Sequence, residues 1–304
     1  MGPAFKFAPF QSNWDGVPAI LTGSAREARL KKRTKHPGGE AGLEADAASS
    51  GDRQFITALQ RGLDILRCIR PTDTALGNQE LAERSGLPNS TVSRLTYTLS
   101  KLGYLVYLEE TGRYRMGVPV LGLGYACLGG LKVREVAQPY MDALAEHAGN
   151  GILIAMGGRD AFSMIYVACA RSPGVVSLQL NIGSRISLAR SSMGRAYLAA
   201  ATAEERDTLM RGIEERTPKE RWPQLQEEIL RAIDEIATRG FCLNSGEWHA
   251  DVNSVGVPLV PLHGGGPILA LNCGGPAYLL SRERLESDLG PRLAEMVHGI
   301  RYSG

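Results

Sequence analysis

Ser90, Ser93, Arg94, Tyr97 and Lys101 recur at helical intervals along one stretch of the chain. At 100° per residue they share one side of a helix, while Val92, Leu95, Leu99 and Leu102 share the other. The first side is small, polar and basic and carries no acidic residue. Its chemistry is that of close approach to a polyanion. Hydroxyls let the backbone come near, Arg94 and Lys101 can pair with phosphates or guanine edges, and Tyr97 can reach a phosphate or a thymine methyl.

Such a face works only if a compact unit holds it outward. Upstream, Leu59, Leu63, Leu66 and Ile69 line one side of a helix that starts near Phe55 and ends before Pro71. A second helix over residues 78–85 is stopped by Gly86, the residue type that most easily turns left-handed after a helix end. Asn89 and Ser90 then suit the cap of the third helix, which ends at Gly103. Residues 104–108 and 113–116 read as two strands joined by the turn Glu110-Thr111-Gly112. That hairpin is a wing whose Arg113 and Arg115 could grip the flanking backbone or minor groove. Together the turn glycine, the acid-free face and the basic hairpin favour DNA binding. The competing use of such a unit is protein docking, because helices with one polar face are the norm in globular proteins.

Further on, helices are expected over 120–128, despite Gly122 and Gly124, and from Val133 to His147 with Val136, Tyr140 and Leu144 inward. Beyond Gly149 short strands are expected at 151–156, 163–170 and 175–181, with turns at 157–160 and 172–174. Helix signals follow at 194–201, 203–211 and 223–239, then strands at 241–243, 254–258 and 268–273 and a terminal helix over 282–300. An antiparallel sheet with helices packed around it makes an α+β domain large enough for a ligand pocket.

A chain of 304 residues has room for two such domains, and 43% hydrophobic against 22% charged residues excludes disordered and disulfide-scaffold classes. The 34 basic and 32 acidic side chains leave a net charge of only +2, so affinity for a polyanion must come from local segregation of charge. Five widely spaced cysteines lack zinc-site spacing and read as small buried hydrophobes in a reducing cytoplasm. The apolar run 118–131 is broken by Pro119 and glycines and is too short to span a bilayer, and the first residues lack the apolar core and cleavage site of a secretory signal, so export is not expected. Residues 1–52 are rich in Gly, Ala, Pro and Ser, show no periodicity, and read as a disordered extension whose basic run 29–35 is a solvated tail.

The two halves of the chain together resemble the IclR family of bacterial transcription regulators. In the first half the matching stretches are Ala58-Leu59-Gln60-Arg61-Gly62-Leu63-Asp64-Ile65-Leu66, Glu80-Leu81-Ala82 to Gly86-Leu87-Pro88, Ser90-Thr91-Val92-Ser93-Arg94-Leu95 and Leu102-Gly103-Tyr104. In the second they are Gly183-Ser184-Arg185, Ser191-Ser192-Met193-Gly194-Arg195-Ala196-Tyr197-Leu198-Ala199, Arg239-Gly240-Phe241, Val255-Gly256-Val257-Pro258 and Leu271-Asn272-Cys273-Gly274-Gly275-Pro276. The resemblance implies an α+β protein: a winged helix-turn-helix over 53–117, a helical linker over 118–132 and a GAF-like antiparallel-sheet effector domain over 133–304. It implies a homodimer or homotetramer that binds double-stranded operator DNA and a small-molecule effector, with no cofactor and no membrane. DNA contacts are then expected from Asn89, Ser90, Thr91, Ser93, Arg94, Tyr97, Lys101, Arg113 and Arg115. Effector contacts fall on Ser191, Ser192, Met193, Gly194, Asn244, Val252, Ser254, Asn272 and Gly274. The helix start near Met193 would attract an organic anion, and Asn244, Ser254 and Asn272 can donate to its oxygens, so a carboxylic acid is the expected ligand class. Asn244 stands where some members carry an acidic residue and Gly274 where some carry serine, which suits a larger or aromatic acid.

Rival chemistry is poorly supported. His263-Gly264-Gly265-Gly266 looks like an oxyanion-hole loop but has no nucleophile elbow to serve, and Ser191 and Ser192 lack a partner base, so catalysis is not expected. Gly122-Leu123-Gly124 lacks the third glycine of a dinucleotide loop. Glu247, His249 and Asp251 alternate and on a strand would share one face, which leaves a ligand- or metal-binding adaptor without DNA as the alternative reading.

Overall fold

The computed structural model of the chain describes residues 55–172, 178–262 and 266–300. The extension 1–52, part of the strand expected at 175–181 and most of the turn at His263 lie outside them; the described residues 178–181 form no strand. The described residues divide into two compact units, one ending at Ala126 and the other beginning at Cys127.

The first unit carries α1 (Thr57–Arg67), α2 (Asn78–Ser85), α3 (Asn89–Lys101), β1 (Leu105–Leu108) and β2 (Arg113–Met116). Ile65, Leu76, Leu81, Val92, Leu99 and Leu105 form its core. α2 ends at Gly86 with φ +70°, a conformation that costs glycine nothing. The strands pair antiparallel from Leu105 with Met116 to Leu108 with Arg113, and Leu76 bridges to Tyr114. Three expectations are corrected. α1 buries Ile65, with Leu66 and Ile69 partly covered, while Leu59 and Leu63 stay exposed. Its apolar arc is wider than one contact, and the core takes the Ile65 side. At the end of α3 Leu102 is exposed too, and Thr96 takes a buried place instead. Pro88, not Asn89 or Ser90, stands at the α3 cap, with no side-chain cap bond.

α4 (Pro119–Gly130) runs across the division between the units and buries no residue. In the second unit α5 (Val133–Ala148) turns Val133, Ala137, Met141, Leu144, Ala145 and Ala148 inward. Val136 and Tyr140, expected inside, are exposed, because the buried stripe runs one position later. The sheet holds β3 (Leu153–Asp160), β4 (Ser163–Arg171), β5 (Arg185–Ser187), β6 (Cys242–Ser245), β7 (Val252–Leu259) and β8 (Leu269–Pro276). Its strands are all antiparallel in the order β5-β4-β3-β8-β7-β6. The turn expected at 157–160 is strand instead: a bulge falls at Met156/Gly157 and the reversal comes at Ala161, φ +52°. Gly157 is small because Met193 lies where its Cβ would be.

Alternation along the strands sends side chains to two layers. Ile154, Val255, Val257, Leu271 and Cys273 pack with α5 and with the terminal segment, which comprises α9 (Arg282–Arg284), a π-helical turn (Leu285–Leu289) and α10 (Gly290–Gly299). On the other face Leu153, Ala155, Tyr166 and Ala270 pack with α6 (Ser192–Ala200), α7 (Ala203–Arg216) and α8 (Trp222–Arg239).

Candidate nucleic-acid interface and buried polar site

In the first unit α2 and α3 are joined by a tight turn and locked by one amide. Asn78 Nδ2 donates to Ser93 Oγ at 3.2 Å, and the buried Thr96 hydroxyl donates to Asn78 Oδ1 at 3.1 Å. α3 is therefore pinned along the buried edge, and its opposite side is turned out. Ser90, Ser93, Arg94, Tyr97, Thr98 and Lys101 are exposed, and Ser93, Arg94, Tyr97 and Thr98 line a shallow groove. Lys101 Nζ stands 5.4 Å from the Tyr97 ring centroid, a cation–π contact that gathers the charge beside the ring. Asn89 is exposed and Thr91 half-buried. Among the described residues neither Arg94 nor Lys101 has an acidic partner.

Arg113, expected to grip the flanking backbone, is also engaged within the unit. Its Nη2 donates to both Glu80 carboxylate oxygens at 2.7 and 2.6 Å, and its Nε donates to the Ala75 carbonyl at 3.1 Å. Glu80 also accepts the Gly77 N–H at 2.8 Å, and these contacts hold its carboxyl below the ordinary range. Arg113 thus ties the wing to the start of α2, and Arg115 is the exposed cation of β2. Sequence reasoning placed Asn78 and Glu80 on the second helix but missed their ties to α3 and to the wing. Their signal was an amide and a carboxylate in the first turn of α2, within reach of its neighbours.

The second set of residues meets at the α6 side of the sheet. Ser191 caps α6, its Oγ accepting the Gly194 N–H at 3.0 Å and donating to the Ser187 carbonyl at 2.6 Å. Gly194 and Gly256 are close-approach glycines: a Cβ on the first would overlap the Leu188 carbonyl, and on the second the Ser192 carbonyl. The first turn of α6 thus lies directly on β7. Ser192 and Ser254 hydroxyls meet at 2.8 Å, and Gly274 pairs with Ser254 across the strands. Asn272 stands opposite Gly256 on the same face. It is 8% exposed, and its Oδ1 is buried with no hydrogen-bond partner among the described residues. Burial pushes the nearby Tyr166 phenol well up, with hydrogen bonding from the Asn272 amide pulling the other way.

Asn244 stands opposite Ser254 on the neighbouring strand β6, Val252 precedes Ser254 by two residues on β7, and both are buried. Asn244 Nδ2 donates to the Arg190 carbonyl at 2.6 Å and its Oδ1 accepts the Trp248 N–H at 3.2 Å, so this amide orders the loop 246–251. Arg195, fully buried on α6, pairs with Glu228 at 2.7 Å and with Glu247, and donates from Nε to the Ala189 carbonyl. Arg231 binds the other Glu247 oxygen at 2.5 Å. Glu247 is therefore held by two guanidinium groups, and it does not join His249 and Asp251 in a metal-holding group among the described residues.

The match to protein families is decisive. The IclR helix-turn-helix domain covers residues 58–109, and the C-terminal domain of the bacterial transcriptional regulator IclR covers 125–301. The chain belongs to the IclR family. It is a DNA-binding transcriptional regulator and not an enzyme. This IclR-family chain is 33% identical over 249 residues to the HTH-type transcriptional regulator TsaQ1/TsaQ2 of Comamonas testosteroni, covering 81% of this chain and 88% of that one. It is similar to the crystal structure of an IclR family transcriptional regulator from Brucella abortus, with 48% identity, 85% and 96% coverage and a TM-score of 0.75. It shares its fold with an IclR homolog from Microbacterium hydrocarbonoxydans solved as a complex with 4-hydroxybenzoate, at 21% identity, 80% and 97% coverage and a TM-score of 0.61.

Proposed function

We propose that this regulator reads operator DNA through the outward side of α3 and is controlled by an organic acid bound against α6. Ser90, Ser93, Arg94, Tyr97 and Lys101 contact the major groove, Asn89 and Thr91 lie at the helix start beside the phosphates, and Arg115 reaches the flanking backbone. Arg113 acts as a tether of the wing. The observation that carries this reading is the acid-free face around Arg94, whose guanidinium has no acidic partner among the described residues. An unpaired, exposed guanidinium between small hydroxyls matches the bidentate contact to guanine.

The effector contacts narrow to Ser192, Met193, Ser254, Asn272 and Gly274, with Ser191, Gly194, Asn244 and Val252 as the frame that shapes them. The free first-turn amides of α6 supply the pull on a carboxylate. For the acid to regulate, it must bind the DNA-competent and incompetent states unequally, and a coupling of about 1–3 kcal/mol gives roughly 5- to 150-fold control. The working form is a homodimer or a pair of dimers in the cytoplasm. It is supported by exposed apolar residues on two helices of the first unit, Leu59 and Leu63 on α1 and Leu121 and Tyr125 on α4.

The test uses a duplex selected from a random pool by the wild-type protein. Arg94→Ala should weaken binding to that duplex by about 1–3 kcal/mol in a fluorescence-anisotropy titration. Unchanged affinity and unchanged sequence preference would remove Arg94 from the interface.

A further inference from the structure

We infer that Asn78 sets how sharply this regulator discriminates between DNA sequences. Its side-chain amide fixes the Ser93 hydroxyl at the edge of the α3 face, which makes Asn78 a positioning residue for operator readout. This rests on the reading of α3 given above and goes beyond it, because Asn78 lies on α2 and is not among the groups assigned to DNA.

The polar groups of the α3 face differ in what holds them. Arg94, Tyr97 and Lys101 are exposed, and Lys101 leans on the Tyr97 ring of its own helix. The Thr98 hydroxyl is turned back on the same helix and donates to the Arg94 carbonyl at 2.9 Å. Ser93, which lines the shallow groove with these residues, is held from another element: its Oγ accepts from Asn78 Nδ2 at 3.2 Å. A short side chain gripped by a neighbour presents its hydroxyl in one direction before DNA arrives. Long, free cations follow the phosphates wherever they lie. Such cations serve affinity for any duplex, whereas a group of fixed direction serves the choice between base pairs.

The second contact of Asn78 shows that the amide does more than complete the core. The buried Thr96 hydroxyl donates to Asn78 Oδ1 at 3.1 Å, but the Val92 and Ser93 carbonyls stand only 3.0 and 3.2 Å from the same hydroxyl oxygen. A hydroxyl has one proton to give, so the backbone of α3 can satisfy Thr96 without help from α2. For the Ser93 hydroxyl, Asn78 is the partner among the described residues. Half-buried between the two helices, the amide therefore contributes most where it meets the DNA-facing edge.

The experiment measures, on the full-length protein, affinity for a duplex selected by the wild type and for a scrambled duplex of the same length and composition. Fluorescence anisotropy at one salt concentration gives the ratio of the two, which is the specificity. Asn78→Ala should lower that ratio about 3- to 10-fold and leave binding to the scrambled duplex unchanged. Ser93→Ala should lower it by a similar factor, and adding Asn78→Ala to Ser93→Ala should lower it no further, because the amide then has nothing to hold. Thermal unfolding checks each variant, and Asn78→Leu, which fills the space with apolar atoms, repeats the comparison if the alanine variant does not fold. A parallel loss on both duplexes would mean that Asn78 only supports the fold and would overturn the inference. So would losses that add in the double variant, or a ratio that Asn78→Ala leaves intact while Ser93→Ala lowers it; both outcomes keep the α3 reading in place. If neither Ser93→Ala nor Arg94→Ala changes the ratio, that reading falls and this inference with it.

Discussion

Arg94, Asn272 and Arg195 are one residue each, and they differ in how far a sequence can reveal them. The outward position of Arg94 was legible because a helical projection turns a list of residue types into a face, and the face lacks carboxylates. Arg195 was not, since an arginine four residues into a helix reads as a surface charge until two carboxylates from α8 and the loop after β6 close around it. The five cysteines show the same limit: read as uniformly buried, they divide by environment. Burial pushes the Cys242 and Cys273 thiols up to about 12 and the Cys68 and Cys169 thiols up to about 11, whereas Cys127 on α4 is exposed. The thiolate is the reactive form, so at pH 8 Ellman's reagent should label one thiol of the native protein quickly and the other four only on unfolding. A Cys127→Ser variant should lose the fast phase; rapid labelling of Cys242 or Cys273 in the folded chain would contradict the burial described.

Helices and strands were recovered mostly within a few residues, because periodicity and glycine or proline punctuation are local signals. What escaped was tertiary: which stripe of α1 or α5 is covered, the bulge at Met156/Gly157, and the short strand β5. Two ties between elements can be tested. Asp73, before α2, receives both terminal nitrogens of Arg84 on that helix, at 2.5 and 3.0 Å, and the Arg70 N–H at 2.7 Å. The Arg84 hydrogen bonds foremost hold the Asp73 carboxyl below its ordinary range. A depressed carboxylate stabilises the fold at pH values above its unfolded pKa, and the stabilisation is lost as pH falls below about 4 through the folded value. The melting-temperature gap between wild type and Asp73→Asn should therefore be widest near neutrality and close on acidification from pH 5 to pH 2. A gap that widens in acid would refute the pairing. In the second unit, Arg195→Met removes the cation between Glu228 and Glu247 and leaves buried charge uncompensated. Denaturant unfolding should show a loss of about 3–5 kcal/mol, and a loss under about 1 kcal/mol would mean the latch is solvent-screened in solution.

At the scale of the molecule the parts amount to a reader and a sensor, each built on its own core. The proposed homodimer or pair of dimers places its contact on the exposed apolar residues of α1. Light scattering should report twice the 32.8 kDa chain mass or a higher even multiple. Charges at Leu59 and Leu63 on α1 should lower that multiple, or weaken operator binding by separating the half-sites, while the second unit keeps its fold. The central claim is that the side of α3 around Arg94 sits on DNA, and the salt dependence of binding tests it most directly. On a duplex selected by the wild-type protein, log affinity should fall linearly with log salt, by about 0.9 for each phosphate neutralised, and Lys101→Ala should make that slope shallower by about one. Binding that ignores salt, or a protein that retains no duplex at low ionic strength, would contradict the account.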